Sequence, residues 1–281
     1  MIADGEVVVL SPPVTQIGGI GDLLAHSVGL PMLKQISGSA HVIFQSPPQL
    51  HKLFTASFPG IELHGDTHEV AIPFPTPRYD RGVPLYDLRE MLKADGIAEP
   101  IPHLFADPEL VEHYRRLMPK DAIGLCWSNG GGQRDYKSWL LAADVPLREE
   151  GCDDGLWTCR PPLADLRPLW SRMPVVSLQT GTDRQQATDT DVIDVLPDEP
   201  DIADIAAVVA CCRSVISAQW TVSHLTSGMG VELHLLGFHD VWPHPRCTQE
   251  WAHHQQHGTM QPPPPYDFTA VAEQLAVVLA A

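Results

Sequence analysis

Cations are scarce in this chain of 281 residues. Eighteen Lys and Arg stand against 35 Asp and Glu, a formal charge of −17 with 14 His counted as neutral. That balance excludes non-specific binding of duplex nucleic acid, because phosphate contacts need clustered Lys and Arg. The longest basic cluster is Arg115-Arg116. No apolar run approaches the roughly 18 residues of a membrane span, so no integral membrane segment is expected. The opening MIADGEVVVLSPP has no basic stretch and no A-x-A site, so no secretory leader is expected either. The 6 cysteines form no C-x-x-C pair. That excludes zinc-ribbon spacing, and so few thiols in so long a chain do not make a disulfide scaffold. Reduced thiols in a cytoplasmic protein are the expectation. G-x-S-x-G, H-E-x-x-H and Walker A motifs are absent. Bulk disorder is excluded by 44% hydrophobic and 19% charged residues.

Proline, in contrast, is abundant: 27 residues that punctuate short elements. The run Val7-Val8-Val9-Leu10 has the pattern of a buried parallel strand. A glycine-rich turn follows at residues 17–22, then one helix over 23–35. A strand at 41–45 and a helix at 48–57 come next. Val70-Ala71-Ile72 reads as a third strand, and residues 73–108 as irregular around one helix near 85–94. A helix over 108–118 has Asp107 as its N-cap. A new strand at 122–127 ends in a second glycine turn, Ser128-Asn129-Gly130-Gly131-Gly132, and residues 141–162 read as a surface insertion. Further strands are expected at 174–178, 214–217 and 231–236, with helices at 163–170, 201–212, 221–229 and 267–280. Alternating strand, turn and helix signals the βαβ grammar of parallel sheets. The grammar restarts near residue 120, so two Rossmann-like halves facing a cleft are expected. Their ligands would lie beyond the carboxyl ends of the strands.

Three segments offer chemistry. Gly19 and Gly21 let backbone approach a ligand ahead of a helix N-terminus, but Leu24 occupies the third glycine position of a dinucleotide fingerprint. Asp22 reads either as the cap of that helix or as a general base held at the cleft. In SNGGGQRDYK, glycines with Arg134 and Lys137 make either an anion cradle or a solvated loop. At residues 217–225 a strand gives way to a helix whose first amides, at residues 221–223, are open to phosphate oxygens. His224, one turn in, reads as a buried helix residue or a cleft residue. The histidines at 239, 244, 253, 254 and 257 and the Asp189-Thr190-Asp191 turn read as solvated, so no metal is expected.

Taken in order, these segments resemble a family. GGIGDLLAHSVGLPMLK is similar to the opening of heptosyltransferase-like glycosyltransferases, IGLCWSNGGG with RDYKSW resembles the start of their second domain, and VVSLQTG with VISAQWTVSHLTSGMGVELHLL resembles their donor-binding stretch. The SLQ-x-G segment is shared with glycosyltransferase domains attached to tetratricopeptide repeats. The resemblance covers roughly residues 16–245.

It implies an α/β protein of the GT-B fold, with an acceptor domain at 1–118 and a nucleotide-sugar domain at 119–261. A linker and terminal helix at 262–281 would pack back on the first domain. It implies metal-independent, inverting transfer of a hexosyl or heptosyl group from a nucleoside-diphosphate sugar to an acceptor hydroxyl, with no cofactor. By position, Asp22 looks like the base and Lys137 like the cation on the donor phosphates. Ser128, Asn129, Gln179, Asp183, Gln219, Thr221, Val222 and His224 fall in the donor stretch, with Gly19 and Gly21 in the first turn. Departures are Gln219 in place of the usual acidic residue, Trp220 after it, and Thr180 where relatives carry Lys. These keep a non-catalytic nucleotide-sugar binder open; a sugar-nucleotide epimerase or hydrolase, and an enzyme that glycosylates DNA or a nucleoside, are further alternatives, the charge of −17 arguing against a duplex substrate.

Overall fold

The structure is a computed structural model that describes residues 7–11, 20–36, 38–65, 81–97, 102–128, 161–218, 221–236 and 268–280. These residues form an α/β protein with two four-stranded sheets, every strand pair parallel.

The first sheet has the order β3-β2-β1-β4, with β1 at Val7–Ser11, β2 at His41–Gln45, β3 at Glu62–His64 and β4 at Arg81–Pro84. This is the order of the first four strands of a Rossmann sheet. Between β1 and β2 the single expected helix is two: α1 at Ile20–His26 and α2 at Gly29–Ile36. The break has a local cause. Pro31 has no N–H to return to the Ser27 carbonyl, which instead accepts from Leu30 N at 2.9 Å. Pro31 therefore sits in the first turn of α2, where its missing donor costs nothing.

A 3-10 turn at Pro48–Leu50 leads into α3 at His51–Ser57. Helix α4 spans Leu85–Ala94 and α5 spans Pro108–Leu117. Asp107 caps α5 as expected, its Oδ1 accepting from Glu109 N at 2.8 Å. The expected strand at residues 70–72 lies outside the described residues. Residues 73–108, read as irregular, in fact contain the edge strand β4.

The second sheet has the order β6-β5-β7-β8, with β5 at Ile123–Cys126, β6 at Val175–Ser177, β7 at Ser214–Ala218 and β8 at Glu232–Leu236. Its helices are α6 at Arg167–Trp170, α7 at Ile202–Cys211 and α8 at Thr221–Gly228. The expected insertion at 141–162 falls almost wholly outside the described residues.

The terminal helix α9, Phe268–Ala280, differs from expectation. It packs against α6 and the 3-10 turn Leu163–Leu166 and joins the core of the second sheet rather than that of the first half. Val271, Ala272, Leu275, Ala276 and Leu279 are buried with Ile123, Leu125, Trp127 and Leu169. That apolar face of β5 needs a cover, and Leu163, Leu166 and Leu169 supply it together with the aliphatic side chains of α9. Arg213 Nη1 donates to the Leu279 carbonyl at 3.0 Å and fastens the end of the helix.

The larger core draws on both sheets. Val8, Leu10, Val42 and Phe44 belong to the same buried cluster as Cys126, Val176, Leu178, Val215 and Leu233. Helices α1, α3, α5, α7 and α8 lie between them.

Candidate active site

In an open parallel sheet a crevice forms where the chain leaves one strand for opposite neighbours. In the second sheet that point lies between β5 and β7, because β6 is on the other side of β5. The carboxyl end of β5 leads to Trp127 and Ser128, and α8 begins soon after β7 with Thr221. In the first sheet the corresponding point lies between β1 and β4. There α1 begins at Ile20, with Gly21 and Asp22 in its first turn.

The two crevices meet. Helices α1 and α8 pack against each other. A Cβ added to Gly21 would lie 2.9 Å from His224 Cδ2 and 3.5 Å from the Thr221 N and Cα. The first turns of the two helices therefore touch, and only glycine permits the distance. Each first turn has amides with no partner inside its helix and carries positive partial charge. Thr221 is partly exposed, while Val222, Ser223 and His224 are buried. His224 thus closes the seam against Gly21. Asp22 stands one residue from this contact and is described by its backbone alone.

At the other end of the seam, the amides of His103 and Leu104 both donate to the Gly228 carbonyl, at 2.8 and 3.0 Å. The His103 imidazole reaches the Leu24 carbonyl of α1 at 3.3 Å. The connector between the halves is thereby tied to α1 and α8 together.

The carboxyl rim of the second sheet is polar and buried, where a parallel sheet is ordinarily apolar. Ser177 and Ser217 are 0% exposed, Gln179 1% and Ser128 3%. Gln179 Oε1 accepts from the amides of Trp127 at 3.1 Å and Ser128 at 2.9 Å. Its Nε2 donates to Ser128 Oγ and to the Thr180 carbonyl, both at 3.1 Å. Ser128 Oγ in turn donates to Asp183 Oδ2, and Asp183 Oδ1 accepts from Gln186 at 3.2 Å. Asp183 lies in the 3-10 turn Thr182–Ala187, entered through Gly181 at φ 70°. Arg184 beside it faces elsewhere. Its guanidinium is held by the Asp194 carboxylate at 2.6 and 2.9 Å and by the carbonyls of Leu196 and Pro197.

Cys126 sits under this rim with its Sγ 3.6 Å from Gln179 Oε1. Burial pushes its thiol up to about 12, so it remains protonated and inert near neutral pH.

Of the residues singled out in the sequence, Ser128, Gln179 and Asp183 form one hydrogen-bonded group. Gly21, Thr221 and His224 meet at the seam, and Val222 is buried in the same first turn of α8. Gly19, Asn129, Lys137 and Gln219 lie outside the described residues, as do the five histidines from 239 to 257. The Asp189-Thr190-Asp191 segment is a self-contained turn: Thr190 Oγ1 donates to the Ala187 carbonyl at 2.8 Å and accepts from Val192 N at 3.2 Å. Among the described residues no group of three His, Cys, Asp or Glu is placed to hold a metal. Sequence reasoning missed Ser177 and Gln186. Ser177 had a signal: it closes the apolar strand Val175-Val176-Ser177.

No protein-family model matches the chain and no curated protein matches it in sequence. Solved structures do share its fold. It is similar to the family 9 glycosyl transferase of Veillonella parvula DSM 2008, at 11% identity and a TM-score of 0.59, over 100% of this chain and 97% of that one. It is similar to the E. coli ADP-heptose LPS heptosyltransferase II, at 11% identity and a TM-score of 0.60, over 98% of each chain. It is also similar to the E. coli heptosyltransferase WaaC solved with ADP-2-deoxy-2-fluoro heptose, at 12% identity and a TM-score of 0.55, over 98% of this chain and 99% of that one. At these identities the likeness is one of fold.

Proposed function

We propose that this chain is a glycosyltransferase of the GT-B arrangement, moving a sugar from a nucleoside-diphosphate sugar to an acceptor hydroxyl with inversion and without a metal. The observation that carries the reading is the meeting of the two crevices at Gly21, Thr221 and His224. It brings the first turn of α1, with Asp22, beside the amides that open α8. A base and an anion-binding helix end are the two components that displacement at an anomeric carbon needs. The shared fold with heptosyltransferases supports the same reading.

In the proposed step the Asp22 carboxylate takes the acceptor's hydroxyl proton. The acceptor oxygen bonds to the anomeric carbon from the face opposite the leaving group. The bond from that carbon to the phosphate oxygen breaks, and its electron pair goes to the diphosphate. The amides at residues 221–223 and the Lys137 ammonium stabilise the added charge, so no divalent ion is required. We assign acceptor binding to residues 1–118 and donor binding to 119–261. Because the WaaC structure was solved with an ADP-linked heptose analogue, ADP-linked donors are the first to test. Three free thiols among the described cysteines fit a reducing cytoplasm.

The test is thermal stabilisation by a panel of nucleoside diphosphates and nucleotide-sugars, with and without EDTA. A bound nucleotide at about 100 times its Kd raises stability by about 2.7 kcal/mol, with EDTA making no difference. Absence of a shift with every nucleotide would overturn the donor site. With a donor in hand, Asp22→Asn is expected to reduce turnover by about 10²–10⁴ while nucleotide affinity stays within about twofold. Unchanged turnover would remove Asp22 as the base. Retained binding without transfer by the wild type would favour the non-catalytic reading that Gln219 and Trp220 invite.

A further inference from the structure

The strand ladder between β5 and β6 ends with Leu178 N donating to the Leu125 carbonyl at 2.9 Å. Beyond that point the backbones separate and the side chain of Gln179 takes over. Its carbonyl oxygen accepts from the next two amides of the neighbouring chain, Trp127 and Ser128. This fixes which way the amide faces, since two N–H groups can be met only by the oxygen. The NH₂ group must then point at Ser128 Oγ and the Thr180 carbonyl, as observed. An amide side chain has two strong acceptor directions and two donor hydrogens. All four are engaged within the chain, and the group is 1% exposed. Gln179 has nothing left to offer a ligand.

Its effect passes through Ser128. The Ser128 oxygen accepts from Gln179 Nε2, so its single proton is directed elsewhere, onto Asp183 Oδ2. The order Gln179 to Ser128 to Asp183 therefore has a fixed direction.

We propose that Gln179 is a positioning residue for the donor site. It clamps the exit of β5 and orients the Ser128–Asp183 pair at the carboxyl rim of the second sheet. This rests on the nucleotide-binding reading above and replaces the expectation that Gln179 itself touches the donor.

Three variants test it: Gln179→Leu, Gln179→Glu and Ser128→Ala. The readouts are amide exchange at Trp127 and Ser128 and the affinity for ADP, UDP and GDP, measured from pH 5 to 8. Gln179→Leu removes every bond, so both amides should exchange at least about tenfold faster and affinity should fall by about tenfold or more. Ser128→Ala should keep both amides protected and still weaken affinity severalfold. Gln179→Glu retains an acceptor for the amides but, when ionised, cannot donate to Ser128. The serine proton then turns to the new carboxylate and away from Asp183. Affinity should be low at pH 8 and recover as the introduced carboxyl is protonated toward pH 5, relative to wild type. Urea midpoints of Gln179→Glu over the same pH range identify a merely structural role, in which affinity recovers only in step with stability.

A Gln179→Glu profile parallel to wild type, or full affinity in Gln179→Leu, would overturn the proposal. Should the wild type bind no nucleoside diphosphate, the function reading falls. The exchange arm then still decides the clamp: unchanged protection in Gln179→Leu refutes it.

Discussion

At the scale of single residues, Gly21 carries two messages and the sequence conveyed one. A glycine ahead of a helix signals close backbone approach, and the expected partner was a ligand. In the structure the close neighbour is His224, some two hundred positions along the chain, a pairing no local pattern encodes. A methyl group at Gly21 would meet the buried imidazole at 2.9 Å. That ring cannot swing into solvent, so the seam between α1 and α8 must open by a few tenths of an ångström. Gly21→Ala is expected to cost about 1–3 kcal/mol, a cost typical of overpacking. Adding His224→Ala should recover part of it. Urea unfolding of the two single variants and the double variant measures the coupling, and strict additivity would refute the contact. Gln179 makes a related point. Its presence in SLQ-x-G was legible as a site signal, whereas the occupation of its whole amide by the β5 exit depends on how two strands diverge.

At the scale of elements, α7 shows what sequence does specify. Asp201 and Asp204 stand three apart before an apolar run, the spacing of a capping box. Asp201 Oδ1 accepts from the amides of Ala203 and Asp204 at 2.9 and 3.0 Å, and Asp204 Oδ2 accepts from Asp201 N at 3.0 Å. Each carboxylate also reaches another helix. Lys52 of α3 donates to Asp201, and Tyr114 of α5 donates to Asp204 Oδ1 at 2.8 Å.

Burial alone would raise the Asp201 pKa. The bonds from Lys52 and the α7 amides outweigh it and hold the carboxyl below the ordinary aspartate value. A depressed carboxyl stabilises the fold above its unfolded value, about 3.9, and that contribution disappears as pH falls through the lower folded value. Asp201→Ala should therefore cost about 1–2 kcal/mol at pH 7. The gap from wild type should narrow below about pH 4. Urea midpoints at pH 7, 5 and 3 check this, and a gap constant down to pH 3 would contradict it.

The elements that escaped the sequence reading have a common cause. Both β3 and β4 are edges of the first sheet, and an edge strand need not be uniformly apolar. Glu62 and His64 in β3 and Pro84 in β4 broke the expected apolar pattern. The inner strands β1 and β2, with Val8, Leu10, Val42, Ile43 and Phe44 buried, were legible from composition alone.

At the scale of the molecule, two sheets do not make two independent cores. The larger buried cluster includes residues of both, a continuity that a division of the sequence near residue 118 does not suggest. Thermal unfolding is expected as one transition, with calorimetric and van't Hoff enthalpies equal within about 10%. Two resolved transitions would show that the halves melt separately. Fold class was readable because alternating strand and helix signals constrain topology strongly. The position of α9 was not, because an aliphatic helix fits any apolar sheet face of the right size.

That position of α9 has a kinetic consequence. All four described strands of the first sheet have been made once Pro84 is added, and they can pair early. On one face of β5, Ile123, Leu125 and Trp127 share their cluster with Leu163, Leu166 and Leu169 as well as with α9, so that layer is finished only when Phe268–Ala280 docks. Bringing Phe268–Ala280 back over so long a stretch of chain is slow, and apolar side chains left open in the meantime favour aggregation. The sheet proposed to hold the nucleotide is thus the last part of the molecule to become solid.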